Sequence, residues 1–304
     1  MAKTDYFIYE KDPQKRIARL TFNRPEQMNF IKWEDMQALN PLLREIEKDD
    51  DVKVLIVKGA GECFGAGADL TGLGTTTVHF SRDPKAPRPT VRERLFEEKD
   101  CFSDYTDKLS QSYLFHFAKA TIAQVHGYCY GFHFGFAQSC DITIASEDAL
   151  FTHPAFRYIT GEQPLGVWLQ EMGSKKYMEM VLTGRPFDAW EMEKMGCVNK
   201  VVPRERLDDE VNEMAEVIAK KPIELLVVEK HLVDCLKAMK NDLAAPNLVA
   251  ALAHCAATHM KAEPGDFLVL KEVSQKGEKG AIDVRESRYP PKYRLSYKGR
   301  AAKE

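Results

Sequence analysis

Two stretches of this sequence are made of residues that expose main chain rather than side chain. The first, Gly59-Ala-Gly-Glu-Cys-Phe-Gly-Ala-Gly-Ala-Asp-Leu70, follows the apolar run Val54-Leu-Ile-Val57. Its small side chains let the backbone approach a ligand closely and offer amide N–H groups. The second, His126-Gly-Tyr-Cys-Tyr-Gly131, follows another apolar run and opens a helix, whose first N–H groups have no acceptor within the helix. If donors from both stretches converge on one carbonyl oxygen, they make an oxyanion hole, which stabilises the negative charge that oxygen gains in a reaction. One glycine turn after a strand is weak evidence, since such turns are common and usually structural. The two together are more specific.

Positioning these stretches requires an α/β layer, and the hydrophobic pattern supplies one. Residues Ile17 to Phe22 alternate as a strand, NRPEQMN turns the chain, and Trp33, Met36, Leu39, Leu43 and Ile46 follow at helical spacing. Val54 to Val57 is a continuous apolar strand, as expected where both faces are covered. The rhythm recurs with a strand at Thr121 to Val125, a helix near Phe132 to Ser139 and a strand at Ile142 to Ala145. From about Pro203 the pattern turns helical, with Leu207, Val211, Met214 and Ile218 on one stripe, then helices over Leu225 to Met239 and Leu248 to Met260. The expected division is residues 1–202 as the layer that carries the site, and 203–304 as a helical region with a basic tail.

Residues 74 to 94 hold three prolines among Thr, Arg and Lys, the composition of a long loop, and such loops are often lids. The C-terminal stretch from Val284 has seven Lys and Arg and a Pro-Pro pair. It is a solvated tail or an arm over a neighbouring subunit or anionic ligand.

Composition excludes several classes. With 44% hydrophobic and 29% charged residues in 304, the chain is globular rather than disordered. The 43 Lys and Arg nearly balance 46 Asp and Glu, which argues against a nucleic-acid partner. Seven cysteines without metal-like spacing fit reduced thiols packed in a cytoplasmic protein, with no metal site. No apolar run suits a signal peptide or a membrane span, so no membrane partner is expected.

The strings NRPEQMN, GAGECFGAGADL, VHGYCYGFHFGFAQSCDITIASEDALF and LTGRPFDAWEMEKMGCVNKVVP, in that order, closely resemble the crotonase, or enoyl-CoA hydratase/isomerase, superfamily. The resemblance runs from about Ile17 to Tyr293. It implies a crotonase-like spiral of ββα units with a helical C-terminal trimerisation region, assembled as a homotrimer or a hexamer of two trimers. It also implies a coenzyme A thioester as substrate, with no tightly bound cofactor. The oxyanion donors would be the backbone N–H groups of Ala68 and Phe132, the latter where the family usually has glycine.

The same resemblance shows a departure. Family hydratases use two glutamates, and the matching positions here are Gly135 and Ala155, neither of which can move a proton. Glu162 lies within a residue or so of the place where some isomerases and the carbon–carbon-bond-cleaving diketone hydrolases of the family carry an aspartate. His153 is two positions before Ala155, and on an extended segment that spacing points both side chains the same way. Glu162 and His153 are therefore the replacement acid/base candidates. The competing accounts are structural: a first-turn carboxylate for the helix near Pro164, and a histidine that caps a turn or meets a buried carbonyl.

Tyr130, His133, Gly135 and Ala155 are expected around the acyl group, with Tyr130 or Phe132 offering a ring to pack on. His133, between Phe132 and Phe134, also suits a packed core position. Asp69 and Asp141 read as structural, and Trp168 as core. For coenzyme A, the resemblance places the adenine by Ala66 and Lys58. Arg288 and Lys292 in the tail, with Lys85, Arg88, Arg92 and Arg94 in the loop, are candidates for phosphate. Three functions stay open: an acyl-CoA enzyme working through an enolate by isomerisation, hydration or hydrolytic ring opening; a carbon–carbon-bond hydrolase of a cyclic diketone without CoA; and a non-catalytic pseudoenzyme.

Overall fold

The computed structural model describes residues 5–69, 114–157, 171–238, 264–265, 267, 269–288 and 290. Glu162, Trp168, Lys292, the 74–94 loop and the helix expected over 248–260 lie outside the described residues.

The chain begins with strands β1 (Phe7–Asp12) and β2 (Ile17–Phe22), helix α1 (Trp33–Lys48) and strand β3 (Val54–Gly59). Then come β4 (Ala120–Val125), β5 (Tyr128–Tyr130), α2 (Phe132–Ser139), β6 (Ile142–Ser146) and β7 (Leu150–Thr152). They are followed by α3 (Ser174–Thr183), β8 (Phe187–Asp188), α4 (Ala189–Met195) and β9 (Lys200–Val202). The remaining helices are α5 (Leu207–Ala219), α6 (Ile223–Ala238) and α7 (Val269–Ser287), the last broken at Gly277.

Among the described residues the strands form two sheets. One is six-stranded in the order β1-β2-β3-β4-β6-β9, and the other pairs β5-β7-β8. Within the large sheet only β1 and β2 are antiparallel; the other neighbours run parallel.

Side chains alternate across a strand, so a buried strand feeds two cores. In β3, Val54 and Ile56 face a cluster with Ile122, Ile144 and, from α5, Leu207, Val211 and Ala215. Leu55 and Val57 face the opposite cluster with Leu20, Val125 and, from α1, Met36, Leu39, Leu43 and Ile46. The 3.6-residue spacing in α1 brings those four residues to one face, each side chain contributing about 1.5–3 kcal/mol by burial. On the other side α5 lies across β2, β3, β4 and β6.

Two elements escape the hydrophobic pattern. Strand β1, FIYEKD, ends on three successive charges, which it tolerates because it lies at the sheet edge, where one side is wet. Strand β5 is three residues inside what reads as a turn, too short to leave a period.

This topology explains why the two glycine stretches are neighbours. Each leaves the carboxyl end of a strand, β3 or β4, and those strands are adjacent and parallel. Both connections therefore emerge on the same edge of the sheet, the usual place for a ligand site in parallel α/β layers.

Candidate functional site

After β3 the first glycine stretch runs alongside β5. Phe64 N–H donates to His126 C=O at 2.7 Å, Gly65 N–H to Tyr128 C=O at 2.8 Å, and Tyr130 N–H returns to Gly65 C=O at 2.9 Å. On its other side the stretch is stitched to the NRPEQMN loop. Ala66 N–H donates to Met28 C=O at 2.9 Å, Ile31 N–H to Gly67 C=O at 3.0 Å, and Asp69 N–H to Ile31 C=O at 2.9 Å. Asn29, at φ 56°, adds its side chain: Nδ2–H donates to the carbonyls of Ala60 and Cys63, both at 2.9 Å. Its Oδ1 accepts Arg24 N–H at 2.9 Å.

This stitching aims one amide. Ile31 bonds to the residues on either side of Ala68, so in this parallel bridge Ala68 turns its own N–H and C=O away from Ile31. The peptide plane gives the same answer: Ala68 N–H points opposite to Gly67 C=O in a trans peptide, and that carbonyl is fixed on Ile31.

The second stretch ends at Gly131, which precedes α2 with φ 58° and ψ −122°. Its N–H donates to Thr152 C=O at 3.0 Å, and its C=O accepts Gly135 N–H at 3.1 Å, the first rung of the α2 ladder. The Phe132 amide thus lies ahead of that ladder, at the positive end of the helix. Gly67, at φ 105°, and Gly131 touch: a Cβ built on Gly131 would stand 3.3 Å from Gly67 Cα. Ala68 and Phe132 each follow one of these two glycines. Both left-handed conformations suit glycine and leave no side chain between the bends.

His133 is the second residue of α2, and its ring is fully enclosed. Nδ1 accepts Gly67 N–H at 3.1 Å, and Nε2 is 2.9 Å from the hydroxyl of Tyr6. Tyr6 O–H donates to Asn29 C=O at 2.6 Å. The Arg24 guanidinium sits 4.6 Å from the Tyr6 ring centre and pairs with Asp35 at 2.9 Å. Phe22 meets the imidazole edge-on at 4.9 Å. Burial in this apolar setting pushes the His133 pKa down to about 3, so the ring is neutral at ordinary pH. Placed at the acyl pocket by the sequence reading, His133 faces the core instead, as do Phe134 and Phe136.

His153 follows Thr152, the residue paired with the second bend, and is therefore close to it in the chain. It is buried against Phe156, with ring centres 5.1 Å apart, and burial lowers its pKa to about 4. Tyr130 is half-buried, its ring 4.9 Å from that of exposed Tyr128. Gly135 lies buried one turn into α2, and Ala155 sits in the short turn Pro154–Arg157 after β7. His126 Nε2 is 3.0 Å from Gly61 C=O, which ties the mouth of one stretch to the start of the other.

Lys58 is the last residue but one of β3 and pairs with Asp208 at 3.3 Å, and Asp208 also accepts from Gln124 at 2.6 Å. Ala66 is half-buried in the first stretch. Arg288 donates to Gly265 C=O at 2.9 Å, and its own carbonyl accepts Lys220 Nζ. Asp141 accepts the N–H and hydroxyl of Thr121, both at 2.8 Å, and pairs with Lys230. The thiols of Cys63 and Cys129 are raised by burial, which makes them poor nucleophiles. Among the described residues no group of three His, Cys, Asp or Glu side chains is placed to hold a metal ion, and no helix is long and apolar enough to cross a membrane.

Sequence reasoning missed Tyr6 and Asn29. A lone tyrosine ahead of the first strand carries no motif, and Asn29 was read only as part of a turn.

A family model described as enoyl-CoA hydratase/isomerase matches residues 12–261. The chain is 34% identical over 209 residues to a probable mitochondrial enoyl-CoA hydratase of Dictyostelium discoideum, which covers 67% of each chain. A solved structure of a probable enoyl-CoA hydratase from Mycobacterium thermoresistibile matches with a TM-score of 0.66 at 28% identity, over 90% of this chain and 98% of that one. The enoyl-CoA hydratase structure from Bacillus anthracis matches at 0.73 and 21% identity, over 97% and 100%, a likeness of fold alone.

Proposed function

The chain belongs to the enoyl-CoA hydratase/isomerase family and has the crotonase fold, and from that footing we propose that it turns over an acyl-CoA thioester through an enolate held by the amides of Ala68 and Phe132. The observation that supports this reading is the close approach of Gly67 and Gly131, the residues that immediately precede the two proposed donors. Removing a proton from the carbon next to the thioester sends charge onto its oxygen. Each correctly aimed donor lowers that barrier by about 3 kcal/mol. Both donors are main chain, so the side chains of residues 68 and 132 need not supply them.

Gly135 and Ala155 hold no proton-transferring group, and the reading assigns that work to Glu162, with His153 as partner. With its pKa near 4, a neutral His153 accepts a proton less strongly than an ordinary histidine, and its conjugate acid gives the proton back more readily. Absence of the glutamate pair counts against hydration, the lyase chemistry, so isomerisation and hydrolytic ring opening rank ahead of it. Lys58 and Ala66 would meet the adenine end of coenzyme A. Assembly as a trimer or hexamer and a cytoplasmic location belong to the same proposal, the first checked by sedimentation.

The test is incubation of the protein in deuterium oxide with a panel of straight-chain and ring-containing CoA esters, read by mass spectrometry. Deuterium on the carbon next to the thioester is the expected result. A panel that neither exchanges nor binds overturns the reading and favours the pseudoenzyme; turnover of a cyclic diketone without CoA favours the hydrolase.

A further inference from the structure

His133 has a tie to each bend. It belongs to the first turn of α2, one residue beyond the Phe132 donor, and it reaches back to the first bend. Gly67 is held on both of its peptide planes: its N–H by His133 Nδ1, and its C=O by Ile31 N–H. The second plane carries the Ala68 N–H.

The direction of each hydrogen bond follows from the donors present. A backbone N–H can only donate, so Nδ1 of His133 is the acceptor and carries no proton. The neutral ring then has its proton on Nε2, which donates to the Tyr6 oxygen; the Tyr6 proton in turn goes to Asn29 C=O. The run is therefore one-directional: Gly67 to His133 to Tyr6 to Asn29. Asn29 also holds Ala60 and Cys63 of the first stretch, so the chain of bonds returns to the loop it started from. Tyr6 is steadied by Arg24 on its face, and Arg24 by Asp35.

We propose that His133 is a positioning residue that fixes the spacing and direction of the Ala68 and Phe132 amides, with Tyr6 as the partner that selects its tautomer. This inference rests on the enolate reading above. His133 does not touch substrate; it acts through Gly67. Protonating Nδ1 would remove the acceptor, and the burial that keeps the ring neutral protects the arrangement.

The experiment uses the full chain and acetyl-CoA labelled with carbon-13 at the carbonyl. H133F keeps an aromatic ring without an acceptor, H133N keeps an acceptor at the Nδ1 position, and Y6F removes the partner hydroxyl. In wild-type protein the bound carbonyl resonance should move downfield. In H133F that movement should be largely lost while affinity for acetyl-CoA changes less than about threefold, and kcat on an accepted ester should fall roughly 100-fold with KM little altered. H133N should recover most of the movement, and Y6F should lie between.

Exchange of the Gly67 amide gives a readout without ligand: it should quicken in H133F and Y6F and return toward wild type in H133N. A wild-type carbonyl that does not move overturns the enolate reading and with it the catalytic part of this inference. A carbonyl that moves equally in wild type and H133F overturns the role of His133 alone. Unchanged Gly67 exchange in H133F overturns the clamp whatever the ester does. If H133F fails to fold, the contrast between Y6F and H133N decides the same question.

Discussion

A methyl group on Gly65 would stand 2.0 Å from Cδ2 of His133: the imidazole fills the volume that any side chain at position 65 would need. The two residues are a matched pair, and the pairing predicts a coupled response. G65A should destabilise the protein by about 1–3 kcal/mol through overpacking. H133A alone should also destabilise, by leaving a cavity and an unmatched Gly67 N–H. In G65A/H133A the clash is gone, so the double variant should be more stable than the sum of the singles by roughly 1–3 kcal/mol. Urea unfolding of the four proteins measures this, and simple additivity would refute the pairing.

Stability should fall on mild acidification, and in part because of this ring. His133 titrates near 3 in the folded chain, whereas an unfolded histidine titrates near 6.5. Its contribution is complete above about pH 6.5 and is lost as pH falls toward 3, because only the unfolded chain takes up the proton in that window. Within it, each such histidine contributes a slope of about 1.4 kcal/mol per pH unit. His153, near 4, acts in the same direction. H133F should unfold with close to one proton less uptake than wild type at pH 5, measured as the difference in slope of unfolding free energy against pH.

The pH dependence of turnover checks His153 separately. A base works when unprotonated, hence above its pKa, and burial has moved that value down to about 4. If His153 accepts the proton, kcat/KM should stay level from pH 7 to 5 and fall only toward pH 4. A fall centred near 6.5 would refute this assignment.

E162Q should remove most turnover on any accepted ester, by about 100-fold or more, since an amide cannot exchange protons as a carboxylate does. Wild-type kcat in E162Q would overturn the role given to Glu162.

Lys58 separates binding from folding. Its pair with Asp208 is partly exposed, and such pairs contribute at most about 1 kcal/mol. K58A should therefore leave thermal unfolding close to wild type while raising KM for a CoA ester severalfold. An unchanged KM would remove Lys58 from the ligand site.

Much of the layer could be read directly from apolar spacing. Val54 to Val57 is buried on both faces, and Met36, Leu39, Leu43 and Ile46 share one face of α1, because burial acts on periodicity and periodicity is local in sequence. The charged strand β1 and three-residue β5 carry too little period to stand out. The same limit applies at the site. Glycine at 67 and 131 is visible as composition, and that each needs a left-handed backbone is a property of single residues.

What tertiary structure alone decided is which of these residues meet. Tyr6, Asn29, Gly67 and His133 span 127 positions between Tyr6 and His133, and no local pattern links them. They come together because β3 and β4 lie side by side and parallel, so that both bends leave one edge of the sheet. His133 looked able to face either a pocket or the core. Its surroundings settled the matter: an open space over Gly65, an acceptor needed by Gly67 and a hydroxyl from the first strand's approach all lie on the inner side. Composition determines which backbone conformations and burials are affordable at each position; the direction a side chain takes depends on distant partners, and only folding brings those within hydrogen-bond reach.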